Sequence, residues 1–198
     1  LYQKAPQEGT KEFEQTFALT KIVDENGNPR MVYHGSMREW QGADAEFDSY
    51  EIGSQSDPGD VGEGFYFATT PLGAYAYTNG KQDNVHGYYL DIRNPFVIGE
   101  QYDRETTQAW EAIRQDEDPG VLPTVQMIAD MVREAGYDPG ELTKFRGYVS
   151  AYDVVQRVGS GNFSNLLKAK GYNGVIYGDE IVAFDPGQIY YASKPATL

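Results

Sequence analysis

The sequence predicts one α+β domain, and three observations carry that prediction. Short runs rich in aromatic and β-branched residues stand toward both ends, stretches of helical composition lie between them, and Gly and Pro punctuate the junctions. With 198 residues, 40% of them hydrophobic, the chain can bury a core without disulfides or metal.

Taken in order, residues 1–14 are polar, carry Pro6 and Gly9 and lack an apolar period, which reads as a flexible tail or linker; residues 15–198 form the domain. The first residue is Leu1 rather than Met, so the chain is expected to be cut from a longer protein. Lys21-Ile22-Val23 and Arg30-Met31-Val32-Tyr33-His34 flank a turn containing Asn26-Gly27, predicting two short strands joined by a tight loop. A calcium loop fits that acidic turn poorly, because its Gly comes too early and the bidentate Glu is missing. Residues 38–62 are loop-like and acidic. Residues 64–68 read as a strand by aromatic content, and Thr70-Pro71 then supplies an N-cap and a first-turn proline for a short helix over 71–78. Residues 87–92 read as a strand ended by Asn94-Pro95. Helical composition follows over 104–115, 124–135 and 143–158, an inserted helical layer spanning about 100–158. Asn162 is placed as the cap of a helix running to Lys170, and strands are expected over 174–177, 181–184 and 188–191.

Composition excludes several functions. Sixteen Lys plus Arg against 30 Asp plus Glu give a net charge of −14, which repels phosphate backbones and argues against nonspecific nucleic-acid binding. No apolar run approaches the roughly 20 residues that span a bilayer, so no membrane role is expected. With no cysteine there is no thiol nucleophile or thiolate metal site.

Three sequence features can carry chemistry. Tyr33-His34-Gly35-Ser36 places one of only two histidines at a strand end, beside a glycine that would let a ligand approach the backbone; taken alone, His34 fits a hydrogen-bonded structural histidine better. In Gly62-Glu63-Gly64-Phe65-Tyr66-Phe67-Ala68, Tyr66 precedes Tyr77 by eleven residues, and Ala74 shares a helix face with Tyr77. The two rings could sandwich a flat heteroaromatic ring; taken alone, they fit aromatic core better. Glu180 directly precedes Ile181-Val182-Ala183-Phe184, where its carboxylate could point into a cleft or stay a surface group.

Together these motifs resemble the ADP-ribosyltransferase superfamily in its His-Tyr-Glu branch, shared by diphtheria toxin and the poly(ADP-ribose) polymerases. Tyr33-His34-Gly35-Ser36 matches the first motif, Gly62 to Ala68 with Tyr77 the second, and Glu180 through Gln188-Ile189 the third. The flanks Lys21-Ile22-Val23-Asp24-Glu25-Asn26-Gly27, Tyr89 to Pro95 and Gly171-Tyr172-Asn173-Gly174-Val175-Ile176 look like the ADP-ribosyltransferase domains of phage and mobile-element polyvalent proteins. The resemblance runs from about Phe13 to Tyr191. It implies a split antiparallel β-sandwich with an NAD cleft and peripheral helices. It also implies that His34 bonds an NAD ribose, that the Gly35 backbone holds the carboxamide with Ser36, Phe67 and Ala74 nearby, and that Tyr66 and Tyr77 stack on nicotinamide. Glu180 is the implied catalytic carboxylate, with His34 and Tyr66 in the catalytic set, and no metal is implied. Breaking the glycosidic bond builds positive charge on the ribose, which a nearby carboxylate stabilises as it develops.

Two departures bear on the acceptor and on affinity. Ala74 stands where many poly(ADP-ribose) polymerases have a serine gripping the carboxamide, and Gly178 stands where arginine-modifying toxins carry a second Glu, which argues against an arginine acceptor. Arg38 is a candidate pyrophosphate contact or a solvated loop arginine. The expected function is mono-ADP-ribosyl transfer to a macromolecule, protein favoured over nucleic acid, by a phage-delivered or toxin-system effector working in the cytoplasm of a target bacterium, with an immunity or antitoxin protein as a possible partner. An NAD glycohydrolase and a noncatalytic module of the same fold are the alternatives.

Overall fold

The computed structural model describes residues 3–37, 61–98, 123–139 and 151–193, together with Phe47, Gly59 and Gln115. The strands are β1 (Gln3–Lys4), β2 (Val32–Gly35), β3 (Phe65–Ala68), β4 (Val85–Leu90), β5 (Pro95–Ile98), β6 (Gly174–Tyr177), β7 (Glu180–Ala183) and β8 (Ile189–Ser193). The helices among the described residues are α1 (Lys11–Thr16), α2 (Pro71–Tyr75), α3 (Pro123–Glu134), α4 (Ala151–Val158) and α5 (Ser160–Ala169), with single 3₁₀ turns at Gln82–Asn84 and Pro186–Gln188.

The strands form one mixed sheet in the order β1-β8-β4-β2-β3-β7-β6-β5. The antiparallel expectation needs correction at both edges, where β1 runs parallel to β8 and β5 parallel to β6. The middle junction is thin: β2 and β3 meet through the pair Tyr33↔Ala68 alone, whereas β2–β4 and β3–β7 each align four pairs. The sheet is therefore two four-stranded halves hinged at one residue pair.

Side-chain alternation sorts these strands into layers. Val32, Tyr88, Leu90 and Ile189 of one half and Phe65, Phe67, Ile181 and Ala183 of the other bury in a common central core. The opposite face of the first half is covered by α1, whose Phe13 and Phe17 pack on Tyr89. Val175, Val182 and Phe96 on the opposite face of the second half pack with Met131, Val132, Val154, Val155, Phe163 and Leu167 from α3, α4 and α5.

The tail expected over residues 1–14 instead supplies β1 and α1. Thr10 caps α1 by accepting from the Phe13 N–H at 3.2 Å, and Phe13 and Phe17, one turn apart, dock on the sheet. Where two strands were expected around Asn26-Gly27, a single bridge Val23↔Pro29 remains, because Val32–Gly35 pairs with β3 and β4. The strand β5 was hidden by its opening Pro95, which suits a strand's first residue. Of the helical stretches, 104–115 lies outside the described residues apart from Gln115, as do residues 143–150. The helices α3, α4 and α5 lie in the connection from β5 to its parallel neighbour β6, so the stretch expected as an insertion is that crossover. The helix α5 starts at Ser160 after Gly159 (φ 87°), and Asn162 donates to the Val158 carbonyl at 2.7 Å instead of capping.

Candidate functional site

The three motifs, far apart in sequence, land on adjacent strands β2, β3 and β7. Tyr33 pairs with Ala68, and Ala68 pairs with Glu180, so one lateral row crosses all three strands. His34 sits one residue beyond that row, and two interstrand spacings, about 10 Å, separate the β2 and β7 backbones.

Beyond Tyr33↔Ala68 the β2–β3 ladder stops, and the His34 side chain takes over, its Nδ1 lying 2.7 Å from the Tyr66 carbonyl oxygen. A carbonyl only accepts, so Nδ1 carries the proton in this bond and Nε2 of the neutral ring carries a lone pair. The ring meets Phe47 edge-on at 5.0 Å and Phe67 at a tilt at 5.6 Å. Phe47 was missed by sequence reasoning; it is 5% exposed, and its only signal was an aromatic residue within the acidic 38–62 stretch.

On β3, parity separates neighbours. Tyr66 lies on the helix-covered face, where its hydroxyl donates to the Gly62 carbonyl at 2.6 Å and accepts from the Val61 N–H at 3.1 Å. Gly59 (φ 83°) approaches so closely that a Cβ there would lie 2.3 Å from the Tyr66 hydroxyl. Phe67 points the other way, 3% exposed in the central core.

The helix α2 ends at Tyr75, shorter than the expected 71–78, and Tyr77 follows in a turn with its N–H donating to the Ala74 carbonyl at 3.1 Å. Tyr77 is 53% exposed, and its hydroxyl donates to Glu180 Oε1 at 3.1 Å. Ala74, expected near the carboxamide, has its side chain buried with Ala68 and Val85. Gly35 has a packing duty as well, since a Cβ there would stand 2.0 Å from the Ala74 carbonyl oxygen. Ser36 is buried and tied by its backbone to Asn84, whose side chain donates to the Ser36 carbonyl at 3.1 Å. Arg38 lies outside the described residues.

Glu180 opens β7, half-buried, with backbone partners on both sides, Ala68 of β3 and Tyr177 of β6. The β6–β7 turn has two residues, Gly178 and Asp179, with Gly178 at φ 56°. Glycine leads such turns because that conformation strains other residues, so a second glutamate at position 178 would work against the hairpin. Sequence reasoning also missed the Thr69 hydroxyl, which donates to Asp179 Oδ1 at 2.6 Å beside Glu180. Among the described residues, no group of three or more His, Asp or Glu side chains could hold a metal ion, and no helix is long and apolar enough to cross a membrane.

An α+β domain with this sheet, bearing these motifs in this order, is of the ADP-ribosyltransferase class. Residues 24–196 match the family model described as ADP-ribosyltransferase in polyvalent proteins, and the chain belongs to that family. Among curated proteins nothing matches the chain, and among solved structures nothing does. ADP-ribosyltransferases use NAD as substrate, so the family is one of NAD-dependent group transfer to an acceptor.

Proposed function

We infer that this domain is a mono-ADP-ribosyltransferase that moves ADP-ribose from NAD to a macromolecular acceptor, protein in preference to nucleic acid, and releases nicotinamide. The observation that carries this reading is the convergence of the three motifs on the neighbouring strands β2, β3 and β7, with the Tyr77 hydroxyl on the Glu180 carboxylate. In this reading NAD lies where the two half-sheets part, the feature that corresponds to the split sandwich of the family. His34 Nε2 accepts from a ribose hydroxyl, with the ring held by the Tyr66 carbonyl on its other nitrogen. Tyr66 and Tyr77 hold the nicotinamide ring between them.

The bond that breaks is the C–N glycosidic bond, and nicotinamide leaves with the electron pair as a neutral molecule. The ribose carbon becomes electron-poor, and the Glu180 carboxylate stabilises that charge as it develops, an effect specific to the transition state. The acceptor nucleophile attacks the opposite face of the ribose and loses its proton. Gly178, a turn glycine in place of a second glutamate, supports an acceptor other than arginine. The setting that fits the family is an effector delivered by a phage or a toxin system into a bacterium.

The test is incubation of the purified protein and its Glu180→Ala variant with adenine-labelled NAD in bacterial lysate, followed by separate analysis of protein and RNA. Wild-type labelling of protein that the variant lacks is the expected result. Nicotinamide release without label transfer would make the domain an NAD glycohydrolase, and neither activity from folded protein would leave a noncatalytic module.

A further inference from the structure

Resting on the transferase reading, we propose that Thr69 is a positioning residue for Glu180, acting through Asp179. Thr69 follows Ala68, the β3 residue that pairs with Glu180, so it stands opposite the β6–β7 turn. It clamps the turn residue Asp179 twice: its hydroxyl donates to Asp179 Oδ1 at 2.6 Å, and its N–H donates to the Asp179 carbonyl at 3.0 Å. Its own carbonyl accepts from Arg30 Nη2 at 3.2 Å, so the clamp is anchored in turn to the segment leading into β2.

The hairpin does not need this clamp in order to form. Tyr177↔Glu180 pairing and Gly178 close the two-residue turn, and Ala68↔Glu180 pairing joins β7 to β3. An exposed turn carboxylate such as Asp179 would ordinarily be left to water. Here it is captured by the hydroxyl of a buried threonine 110 positions away. A hydroxyl-to-carboxylate bond of this length is of the strong, charge-assisted kind. Its effect is to fix the peptide unit between residues 179 and 180, and with it the direction in which the Glu180 side chain leaves the strand. Transition-state stabilisation depends steeply on such placement, whereas ground-state binding of NAD does not, so the clamp belongs to turnover.

The experiment measures nicotinamide release from NAD by the whole chain carrying Thr69→Val, Thr69→Ser, Asp179→Ala or the Thr69→Val/Asp179→Ala pair, beside wild type and Glu180→Ala. Thr69→Val is expected to lower kcat roughly tenfold at unchanged KM, since small misplacements cost turnover steeply. Thr69→Ser restores the rate, and the double variant is no slower than Thr69→Val alone, because both changes break one contact. Unchanged kcat in Thr69→Val, a rise in KM in place of the fall in kcat, or multiplied losses in the double variant would each overturn the proposal. If Thr69→Val does not fold by circular dichroism, Asp179→Ala decides, its expected outcome being the same fall in kcat at unchanged KM. Absence of turnover by folded wild type overturns the underlying transferase reading and this inference with it, whereas active wild type with an indifferent clamp overturns this inference alone.

Discussion

Tyr77 holds two assignments that one side chain can be made to separate. Its ring is proposed to stack on nicotinamide, and its hydroxyl donates to Glu180 at 3.1 Å. Tyr77→Phe keeps the ring and removes the donor, so kcat for nicotinamide release should fall by about ten- to a hundredfold, the value of one net hydrogen bond to a charged group, with KM nearly unchanged. Tyr77→Ala removes the ring as well, and KM should then rise by roughly two- to tenfold, since an aromatic pair contributes about 0.5–1.5 kcal/mol. Steady-state kinetics on both variants check the split, and equal effects on KM would end the stacking assignment. At this scale the sequence was readable in strand placement: the motifs bearing His34 and Glu180 were expected on strands, and they lie on the second and seventh strands with β3 between them. It was not readable where orientation decides. Phe67 and Tyr66 are neighbours, but strand alternation sends one into the central core and the other under the helices. Ala74, expected beside a ring, is used up in letting α2 lie against Gly35. Thr69 and Asp179 carry no motif, and nothing short of the β3–β7 register joins them.

Turns and helices obey local rules whose consequences can be measured separately. The residue 24–28 turn is closed by Asp24, whose Oδ1 accepts from the N–H groups of Asn26 and Asn28, each at 2.9 Å. The Asn28 bond holds the Asp24 carboxyl below its ordinary value of 3.8 against an opposing push from burial, with the Asn26 bond adding to the lowering. A lowered folded value means that the turn's stabilisation is present above the unfolded value and is lost as pH falls through the folded one. The amide proton resonances of Asn26 and Asn28 should therefore hold steady from neutral pH down to about 4 and shift upfield together below it. An NMR titration checks this, and independent midpoints for the two amides would refute it. The helical crossover makes a stronger demand. Met131 on α3 is fully buried against α4, α5 and the second half-sheet. Met131→Ala should cost about 2–5 kcal/mol in urea unfolding, so this layer is a wall of the domain rather than a removable attachment. The long α3 and the α5 segment were legible by composition. The helix α1, six residues long, was not, because its evidence is one capping threonine and one i,i+4 phenylalanine pair, too little to form a period.

At the scale of the molecule, a hinge of one residue pair joins two half-sheets that share a core, and the charge is spread over a strongly acidic surface. The hinge was illegible in the sequence because a single β2–β3 bridge depends on where β4 and β7 claim the other edges of those strands. The charge, by contrast, is fully legible, and it separates the two substrates. A body of net charge −14 repels NAD, itself an anion, and draws basic partners toward it. Salt should then act oppositely on the two. Between about 0.01 M and about 1 M salt the Debye length shrinks from about 30 Å to about 3 Å, which removes both long-range effects. KM for NAD in the acceptor-free reaction should fall or stay level over that range as repulsion is screened. The rate of acceptor labelling at saturating NAD should drop by about tenfold or more, within the range that electrostatic steering contributes to association. Labelling of fractionated lysate across a salt series measures both, with the labelled bands expected among basic proteins. Labelling that is indifferent to salt, or that rises with it, would show that the acidic surface has no part in choosing the acceptor and would return the choice to the immediate surroundings of Glu180.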